Sequence, residues 1–274
     1  MWPKSITSAQ NPVIKTLLDI KRHPGREAFL AEGPHLVEAA LSGGGRLDTV
    51  IVTNEFLARL EDNPRFFNAL KQSARVFCQV PNRLFERIAE ARTPQGILAQ
   101  CWYEGLTLGR LALKGPALIA VSAGIREPGN LGSLVRTADA AGADACIILP
   151  GTANIFSARA VRATAGSLFH LSVIEAGLEE ALCYLKEKKI VLAGADAHAG
   201  RPVYDWDLKA PVAIAFGEES HGLPPELKAR ADVLLGIPIK GGAESLNVTA
   251  AAAVFLFEAA RQRTRVFTPV LPRR

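Results

Sequence analysis

From residue 117 onward, short and largely apolar runs alternate with stretches of helical period, and this alternation constrains the fold more than any other feature. The runs are Ala117–Val121, Cys146–Pro150, Leu171–Ile174, Lys189–Gly194, Val212–Phe216 and Val233–Ile239. Strands that are apolar on both faces belong to parallel sheets covered by helices on each side. The sequence therefore predicts an α/β unit with a parallel sheet, in which ligands bind in loops beyond the carboxyl ends of the strands.

A smaller α/β unit is predicted before it, over residues 1–103. Its predicted helices are Pro12–Arg22, Pro34–Leu41, Arg65–Gln72 and Arg83–Ala91, and its predicted strands are Phe29–Glu32, Thr49–Val52, Val76–Val80 and Ile97–Trp102. The stretch that follows shows neither period and contains three glycines, which is typical of a linker. We therefore predict domains at 1–103 and 117–263, a linker at 104–116 and a basic tail at 264–274.

Positive charge is concentrated at the two ends of the 274-residue chain, whose formal net charge is +5. The residues concerned are Lys4, Lys15, Lys21, Arg22, Arg26, Arg261, Arg263, Arg265, Arg273 and Arg274. Such clusters fit an anionic partner such as nucleic acid, and they also fit two solvated ends of an ordinary protein.

Cysteine and histidine usage indicates the compartment. The four cysteines form no CxxC pair, and the five histidines stand at no metal-ligand spacing, which predicts reduced thiols and no metal site. The chain begins without an apolar signal core, and the longest apolar stretch, Ala250–Ala260, is too short to span a bilayer. We therefore expect a cytoplasmic protein with no membrane segment, in which 250–260 forms a buried helix.

The loop after the first strand, residues 122–142, combines turn chemistry with a helix entrance. Asn130 is predicted to cap a helix, and Arg136 lies six residues further on, away from the apolar stripe of that helix. The glycines at 124, 129 and 132 match neither a P-loop nor a dinucleotide fingerprint. A capped helix without a ligand explains Asn130, but it does not explain the arginine.

Two further loops carry polar groups. In residues 217–227, the adjacent carboxylates Glu218 and Glu219 follow a predicted strand, in a turn rich in glycine and proline. This pattern occurs in functional loops and equally in ordinary surface turns. Residues 240–247 place Ser245 and Asn247 at the entrance of a helix built from small and apolar residues. Polar side chains packed there need partners, which are either a ligand or main-chain groups.

Together these loops resemble the signature motifs of the SpoU (TrmH-like) family of RNA 2′-O-ribose methyltransferases, within the SPOUT superfamily. The spans are REPGNLGSLVRTADAAG, FGEESHGL and GIPIKGGAESLNVTAAAAVFLFEAARQ, with VRATAGSLFHLSV between the first and second. In addition, REAFLAEGPHLVEAALS at 26–42 resembles the RNA-binding domain similar to ribosomal protein L30e that often precedes this catalytic unit. The motifs keep their order and strand–loop–helix setting over 117–263.

The resemblance implies a deep trefoil knot holding S-adenosylmethionine, and a homodimer whose active sites borrow groups across the interface. Matching the motifs residue by residue implies a catalytic set of Asn130, Arg136, Glu219, Ser245 and Asn247. It also implies cofactor contacts, largely through the main chain, at Ala195, Gly217, Ile237 and Leu246. Glu218 falls at the variable position of the second motif and is the less favoured acid.

The implied reaction is an in-line transfer of a methyl group to a ribose hydroxyl, which needs alignment and loss of a proton. Arg136 is the residue expected to ease that ionisation. Since arginine is donor-only with a pKa above about 12, stabilising a developing oxyanion suits it better than accepting a proton. Asn130 and Glu219 would orient Arg136, while Ser245 and Asn247 would shape the pocket.

The implied substrate is structured RNA, with ribosomal RNA favoured over transfer RNA because of the extra N-terminal domain. Contacts are expected from the first domain and from the arginines at 261–265. Four alternatives stay open at this point: a tRNA 2′-O-methyltransferase, a non-catalytic RNA-binding protein that kept the fold, a nucleotide-binding enzyme of ordinary doubly wound topology, and a methyltransferase acting on a base nitrogen.

Overall fold

The computed structural model describes residues 3–25, 27–43, 45–113 and 115–264. Arg26 and the basic tail beyond Thr264, including Arg265, Arg273 and Arg274, lie outside the described residues. Contacts between Cα atoms divide the chain into two compact units, and the division does not follow a single cut in the sequence. The first unit comprises 1–106, 127–136 and 153–172, and the second comprises 107–126, 137–152 and 173–274.

The first unit is built on a mixed five-stranded sheet. Its strands are β1 (Lys4–Ser5), β2 (Phe29–Glu32), β3 (Arg46–Thr53), β4 (Val76–Val80) and β5 (Ile97–Trp102). Its helices within the first hundred residues are α1 (Pro12–Arg22), α2 (Pro34–Ser42), α3 (Asn54–Glu61), α4 (Pro64–Ser73) and α5 (Asn82–Ile88). The strand order is β1-β4-β3-β5-β2, with β5 antiparallel to both of its neighbours.

Helix α1 shows why these segments fold as predicted. The Asn11 side chain accepts a hydrogen bond from the Val13 amide and caps the helix, and proline occupies the first helical position. Ile14 and Leu17 are fully buried in the core beside the sheet, and burying each contributes about 1.5–3 kcal/mol. The predicted helices and strands of this region are confirmed to within a few residues.

Helix α3 is an element that the sequence pattern did not predict. It follows β3 without an intervening loop, because Thr53 ends the strand and also caps the helix by accepting a hydrogen bond from the Phe56 amide at 3.2 Å. Thr53 is a β-branched residue, as is typical of strands, and it ends β3, but its hydroxyl also caps the helix that follows. Periodicity alone does not separate the two.

Two more helices are α6 (Pro128–Ala140) and α7 (Ala158–Ala163). Helix α6 passes from the first unit to the second after residue 136, whereas α7 lies in the first unit. Gly132 on α6 comes so close to α7 that a Cβ atom there would lie 2.3 Å from the carbonyl oxygen of Ala160. The glycine of the NLGS segment is therefore required by helix packing.

The second unit contains the parallel sheet. Its strands are β6 (Leu118–Ser122), β7 (Ala145–Ile148), β8 (Ser172–Glu175), β9 (Val191–Ala195), β10 (Val212–Phe216) and β11 (Val233–Leu235). Its further helices are α8 (Leu178–Glu187), α9 (Pro225–Arg230) and α10 (Val248–Arg263). The six-stranded sheet has the order β11-β9-β10-β6-β7-β8.

The predicted parallel sheet is confirmed. Strand β10 pairs in parallel with β6 and β9, β6 pairs in parallel with β7, and β11 pairs in parallel with β9. All five residues of β6 and of β10 are buried, as expected for strands covered on both faces. The trefoil knot implied by the resemblance stays a prediction, as do the predicted domain boundaries.

Candidate active site

Three of the four residues predicted to contact a cofactor lie at the carboxyl ends of three neighbouring strands of the parallel sheet. Ala195 ends β9, Gly217 directly follows β10, and Ile237 follows β11 by two residues. Since β11, β9 and β10 are adjacent and parallel, their carboxyl ends meet at the same edge. The segment that enters α10 adds Leu246, and these four residues line one cleft of the second unit.

The cleft therefore contains all four residues predicted to contact a cofactor. Ser245 and Glu219, from the predicted catalytic set, line it as well. Its walls are apolar: Phe216 and Phe255 line it, and their rings meet edge to face with centroids 5.9 Å apart. A mostly apolar cleft with a few convergent polar groups is the usual form of a small-molecule site.

The turn after β10 is shaped by main-chain contacts. The Glu218 amide donates to the Gly222 carbonyl at 3.0 Å, and the Gly222 amide donates back to the Glu218 carbonyl at 2.8 Å. Gly222 has φ +68°, and a Cβ atom on Gly217 would lie 2.0 Å from the Gly222 oxygen. Only glycine fits at 217, so the strand end presents bare main chain to the cleft.

Asp196 lines the cleft next to Ala195, and the motif comparison did not single it out. Its carboxylate forms an ion pair with Lys228 on α9 and accepts a hydrogen bond from the His198 amide at 2.8 Å. Burial raises the pKa of Asp196, but the lysine and the amide outweigh it and hold the pKa below its ordinary value. The ion pair joins the loop after β9 to α9.

Carboxylates dominate the charged lining of the cleft. Asp196, Glu218 and Glu219 line it, and the lining set among the described residues contains no lysine or arginine. The Glu218 side chain is 19% exposed, lies 3.1 Å from His221 Nδ1 and 3.7 Å from Arg126 Nε. Glu219, the acid favoured by the motif, is exposed. This charge distribution suits a cationic ligand.

The first motif differs from the prediction in its cap. Helix α6 begins at Pro128, so Asn130 is its third residue and the predicted cap is wrong. The Glu127 side chain takes that role by accepting a hydrogen bond from the Asn130 amide at 2.8 Å, because proline at the first helical position moves the cap one residue before it. Arg159 on α7 lies 2.9 Å from the same carboxylate.

Arg136 lies near the middle of α6, and its side chain is exposed. Asn130 and Arg136 both belong to the first unit, and neither is among the residues that line the cleft. Of the two predicted catalytic residues in the third motif, one lines the cleft and the other does not. Ser245 lines the cleft, whereas Asn247 caps α10 by accepting a hydrogen bond from the Thr249 amide at 2.9 Å.

Arg263 was expected to contact RNA, and the structure gives it a different role. Its guanidinium donates to four main-chain carbonyl oxygens, those of Pro116, Ala117, Leu208 and Ala210, at 2.7–3.0 Å. Burial lowers its pKa. The side chain therefore anchors the end of α10 to the loops before β6 and β10. Its guanidinium N–H groups donate to carbonyl oxygens of the protein itself, so they are engaged within the second unit.

Thiols and metal ligands are the remaining predicted features. Cys78, Cys101 and Cys146 are buried and Cys183 is exposed, and burial raises the pKa of Cys101 and Cys146 to about 12. Within the described ranges, no three histidine, cysteine or acidic side chains come together as a metal site requires. In the same part of the chain, no helix has the length and apolarity needed to cross a membrane.

Comparisons with known proteins match both halves of the chain. Residues 117–257 match the SpoU rRNA Methylase family, and residues 11–99 match the MRM3-like substrate binding domain. The chain is 32% identical over 259 residues to the 23S rRNA (guanosine(2553)-2′-O)-methyltransferase RlmP of Bacillus subtilis (strain 168), a match that covers 93% of this chain and 98% of that protein.

Two further matches extend the comparison. The 23S rRNA (uridine(2479)-2′-O)-methyltransferase of Streptomyces viridochromogenes is 27% identical over 252 residues, which cover 89% of this chain and 86% of that protein. The crystal structure of an AdoMet-bound rRNA methyltransferase from Sinorhizobium meliloti superposes with a TM-score of 0.83 at 29% identity, covering 94% of this chain and 97% of that one.

Proposed function

Because this chain belongs to the SpoU methylase family, as its motifs predicted, we propose that it transfers a methyl group from S-adenosylmethionine to a ribose 2′-hydroxyl of ribosomal RNA. The observation that carries the proposal is the cleft at the carboxyl edge of the parallel sheet. It combines bare main chain at Gly217, apolar walls and three carboxylates within one site.

The residues of the cleft fit this cofactor. When bound, S-adenosylmethionine supplies a methyl group on a positively charged sulfur. Carboxylates at Asp196, Glu218 and Glu219 line the cleft, and the described lining contains no lysine or arginine. Lys228 pairs with Asp196 and Arg126 lies 3.7 Å from Glu218, so the charge of these two carboxylates is partly offset, but the lining as a whole favours a cation. Ile237 and Leu246 offer apolar contact and main-chain groups, and Gly217 offers main-chain groups alone.

We assign the catalytic roles to residues of all three motifs. Arg136 stabilises the oxyanion that forms as the ribose hydroxyl loses its proton, since a guanidinium donates hydrogen bonds and holds its charge. Asn130 and Glu219 orient Arg136, while Ser245, which lines the cleft, and Asn247, which caps α10, shape the substrate pocket. Exposure of Arg136 in a single chain supports a role at a surface that the substrate or a second protomer completes.

A homodimer through the catalytic domain belongs to this proposal. The outward face of α10 is proposed as the interface because it is apolar at helical spacing: Ala250, Ala253, Val254 and Phe257 occupy positions i, i+3, i+4 and i+7 of the helix. Phe257 is 50% exposed, and its place beside the other apolar residues of this face makes it part of a patch, the feature that marks an interaction surface. A second copy of this chain would place two such faces together, and the family resemblance implies that each active site then borrows groups from the other protomer.

Ribosomal RNA is favoured over transfer RNA because the relatives that match nearly the whole chain are named for 23S rRNA. Those two names specify different nucleosides, so the base at the target position is not part of the proposal. A cytoplasmic location is proposed with it, because ribosomal RNA is modified where ribosomes assemble. The alternative of a non-catalytic RNA-binding protein is disfavoured, because RNA binding alone does not require a cleft lined by carboxylates.

The proposal is tested by methyl transfer. Unmodified 23S rRNA, 16S rRNA and a tRNA pool, each transcribed in vitro, are incubated separately with the protein and S-adenosylmethionine labelled on the methyl group. We expect label in 23S rRNA that resists alkaline hydrolysis as a dinucleotide, because 2′-O-methylation blocks cleavage at that position. Label that is found only in tRNA, or that is released with a methylated base, would overturn the assignment.

A further inference from the structure

The second unit has a surface groove that none of the signature motifs accounts for. Its volume is about 850 Å³. One wall is a single face of α8, because the lining residues Glu179, Leu182, Cys183 and Lys186 occupy positions i, i+3, i+4 and i+7 of that helix. We call this surface, which continues over the start of β9 to Trp206, the α8 groove.

Apolar side chains form much of the α8 groove. Ile190 and Leu192 are buried at its floor, whereas Leu182, Val191 and Trp206 are only half-buried. Half-buried aliphatic and aromatic groups that lie side by side form the kind of patch that marks a contact surface.

Several polar groups of the α8 groove already have partners in the same unit. The Arg230 guanidinium donates two hydrogen bonds to the Glu179 carboxylate, at 2.9 and 3.2 Å, and the Asp232 carboxylate accepts one from the Leu192 amide at 2.8 Å. The lining has three basic and two acidic residues, so charge does not select the occupant. The apolar surface favours a segment of polypeptide with apolar side chains.

Helix α10 ends beside this groove. Gln262, in its last turn, donates from Nε2 to the Trp206 carbonyl oxygen at 3.0 Å and accepts a hydrogen bond from the Leu208 amide at 2.9 Å. The Trp206 ring is also in contact with the Arg201 guanidinium, which lies 5.1 Å from the ring centroid. The segment that follows Thr264 therefore begins next to the Trp206 wall of the α8 groove.

The sequence of residues 265–274, RVFTPVLPRR, lies outside the described residues and suits an apolar groove. Pro269 and Pro272 favour an extended backbone at the residue before each of them. In an extended chain, Phe267 and Leu271 lie on the same side. Ten residues reach up to about 33 Å, whereas the α8 wall from Glu179 to Lys186 is about 10 Å long, so the segment has length to spare.

We propose that residues 265–274 of this chain lie extended in the α8 groove, with Phe267 and Leu271 against its apolar side chains. The chain's own segment is favoured over a second copy or another protein, because a segment tethered beside the groove is present there at an effective concentration of millimolar order. The docked segment covers Cys183 and holds the far end of the helix whose entrance lines the cofactor cleft. This inference goes beyond the proposed function and does not depend on it.

The reactivity of Cys183 tests the docking, because this thiol lines the groove and is exposed without the segment. The full-length protein is treated with N-ethylmaleimide, and labelling of the Cys183 peptide is followed by mass spectrometry. The double substitution Phe267→Asn with Leu271→Asn should raise the labelling rate about tenfold, since it removes the apolar contacts that keep the groove covered. Thr268→Asn is the matched control and should leave the rate within about twofold of the wild type. Equal rates in the wild type and the double variant would overturn the proposal.

Two readings of the same assay separate docking from other causes. Cys146 is buried in the same unit, so its labelling should stay slow in every variant. An equal acceleration of Cys146 and Cys183 would mean that the substitutions open the fold, and it would overturn docking as the cause. The wild-type rate at Cys183 should also stay constant when the protein is diluted about a hundredfold, as an intramolecular contact requires. A rate that rises on dilution would show that another copy supplies the segment, and it would overturn the assignment to the same chain.

Discussion

Gly217 is the position at which one added methyl group should disable the cleft. A Cβ atom there would lie 2.0 Å from the Gly222 oxygen and 2.4 Å from the Leu223 nitrogen, and all of these contacts are with main chain. Carbon and oxygen atoms that are not bonded stay at least about 3 Å apart, so Gly217→Ala must displace the turn by about 1 Å. A misplacement of about 1 Å at a reacting centre costs roughly a hundredfold in rate, and we expect a loss of the same order in cofactor affinity here.

We therefore expect Gly217→Ala to bind S-adenosylmethionine about a hundredfold more weakly, which corresponds to about 2.8 kcal/mol. Isothermal titration calorimetry measures the affinity. Gly200→Ala is the matched control, because a Cβ atom at Gly200 meets nothing within 4 Å. Affinity of Gly217→Ala within threefold of Gly200→Ala would refute the reasoning. A melting temperature close to that of the control would establish that the loss is local.

Three further predictions concern single side chains. Arg263→Met should lower the free energy of unfolding by about 2–4 kcal/mol in urea titrations, because its two part-buried hydrogen bonds to Ala117 and Leu208 are lost, and its RNA affinity should be unchanged. Asp196→Asn should destabilise the protein at pH 7. Since the folded pKa of Asp196 is lowered, the wild-type advantage is present above the ordinary pKa of 3.8 and disappears as the pH falls through the lower folded value, so the two unfolding curves should converge in acid. Arg136→Ala should reduce methyl transfer more than a hundredfold in single-turnover assays while the affinity for S-adenosylmethionine stays within twofold; transfer within tenfold of the wild type would remove Arg136 from the mechanism.

The strands of the parallel sheet were predictable because strands buried on both faces leave continuous apolar runs, as in Val212–Phe216. The place of the cleft followed from the same reasoning, since carboxyl ends of adjacent parallel strands share an edge. Gly217 and Leu246 were implied by motif position, and the structure brings them to one cleft.

Features that depend on distant partners were not predictable. Asp196 follows a strand end, which is a usable signal, but nothing in the sequence pairs it with Lys228 on another element. Arg263 looked like one more member of a basic cluster, because its four carbonyl partners are main-chain groups that leave no pattern in the sequence. Glu127 was overlooked as a cap because glutamate is not among the preferred capping residues.

Hydrogen–deuterium exchange with and without S-adenosylmethionine tests most directly whether the cleft holds the methyl donor. Binding should slow exchange at the amides of 217–223 and 236–246, which follow β10 and β11, and leave the amides of β5 unchanged. Calorimetry on the same sample establishes that the cofactor is bound. Slowed exchange confined to other segments, with binding established, would contradict the account.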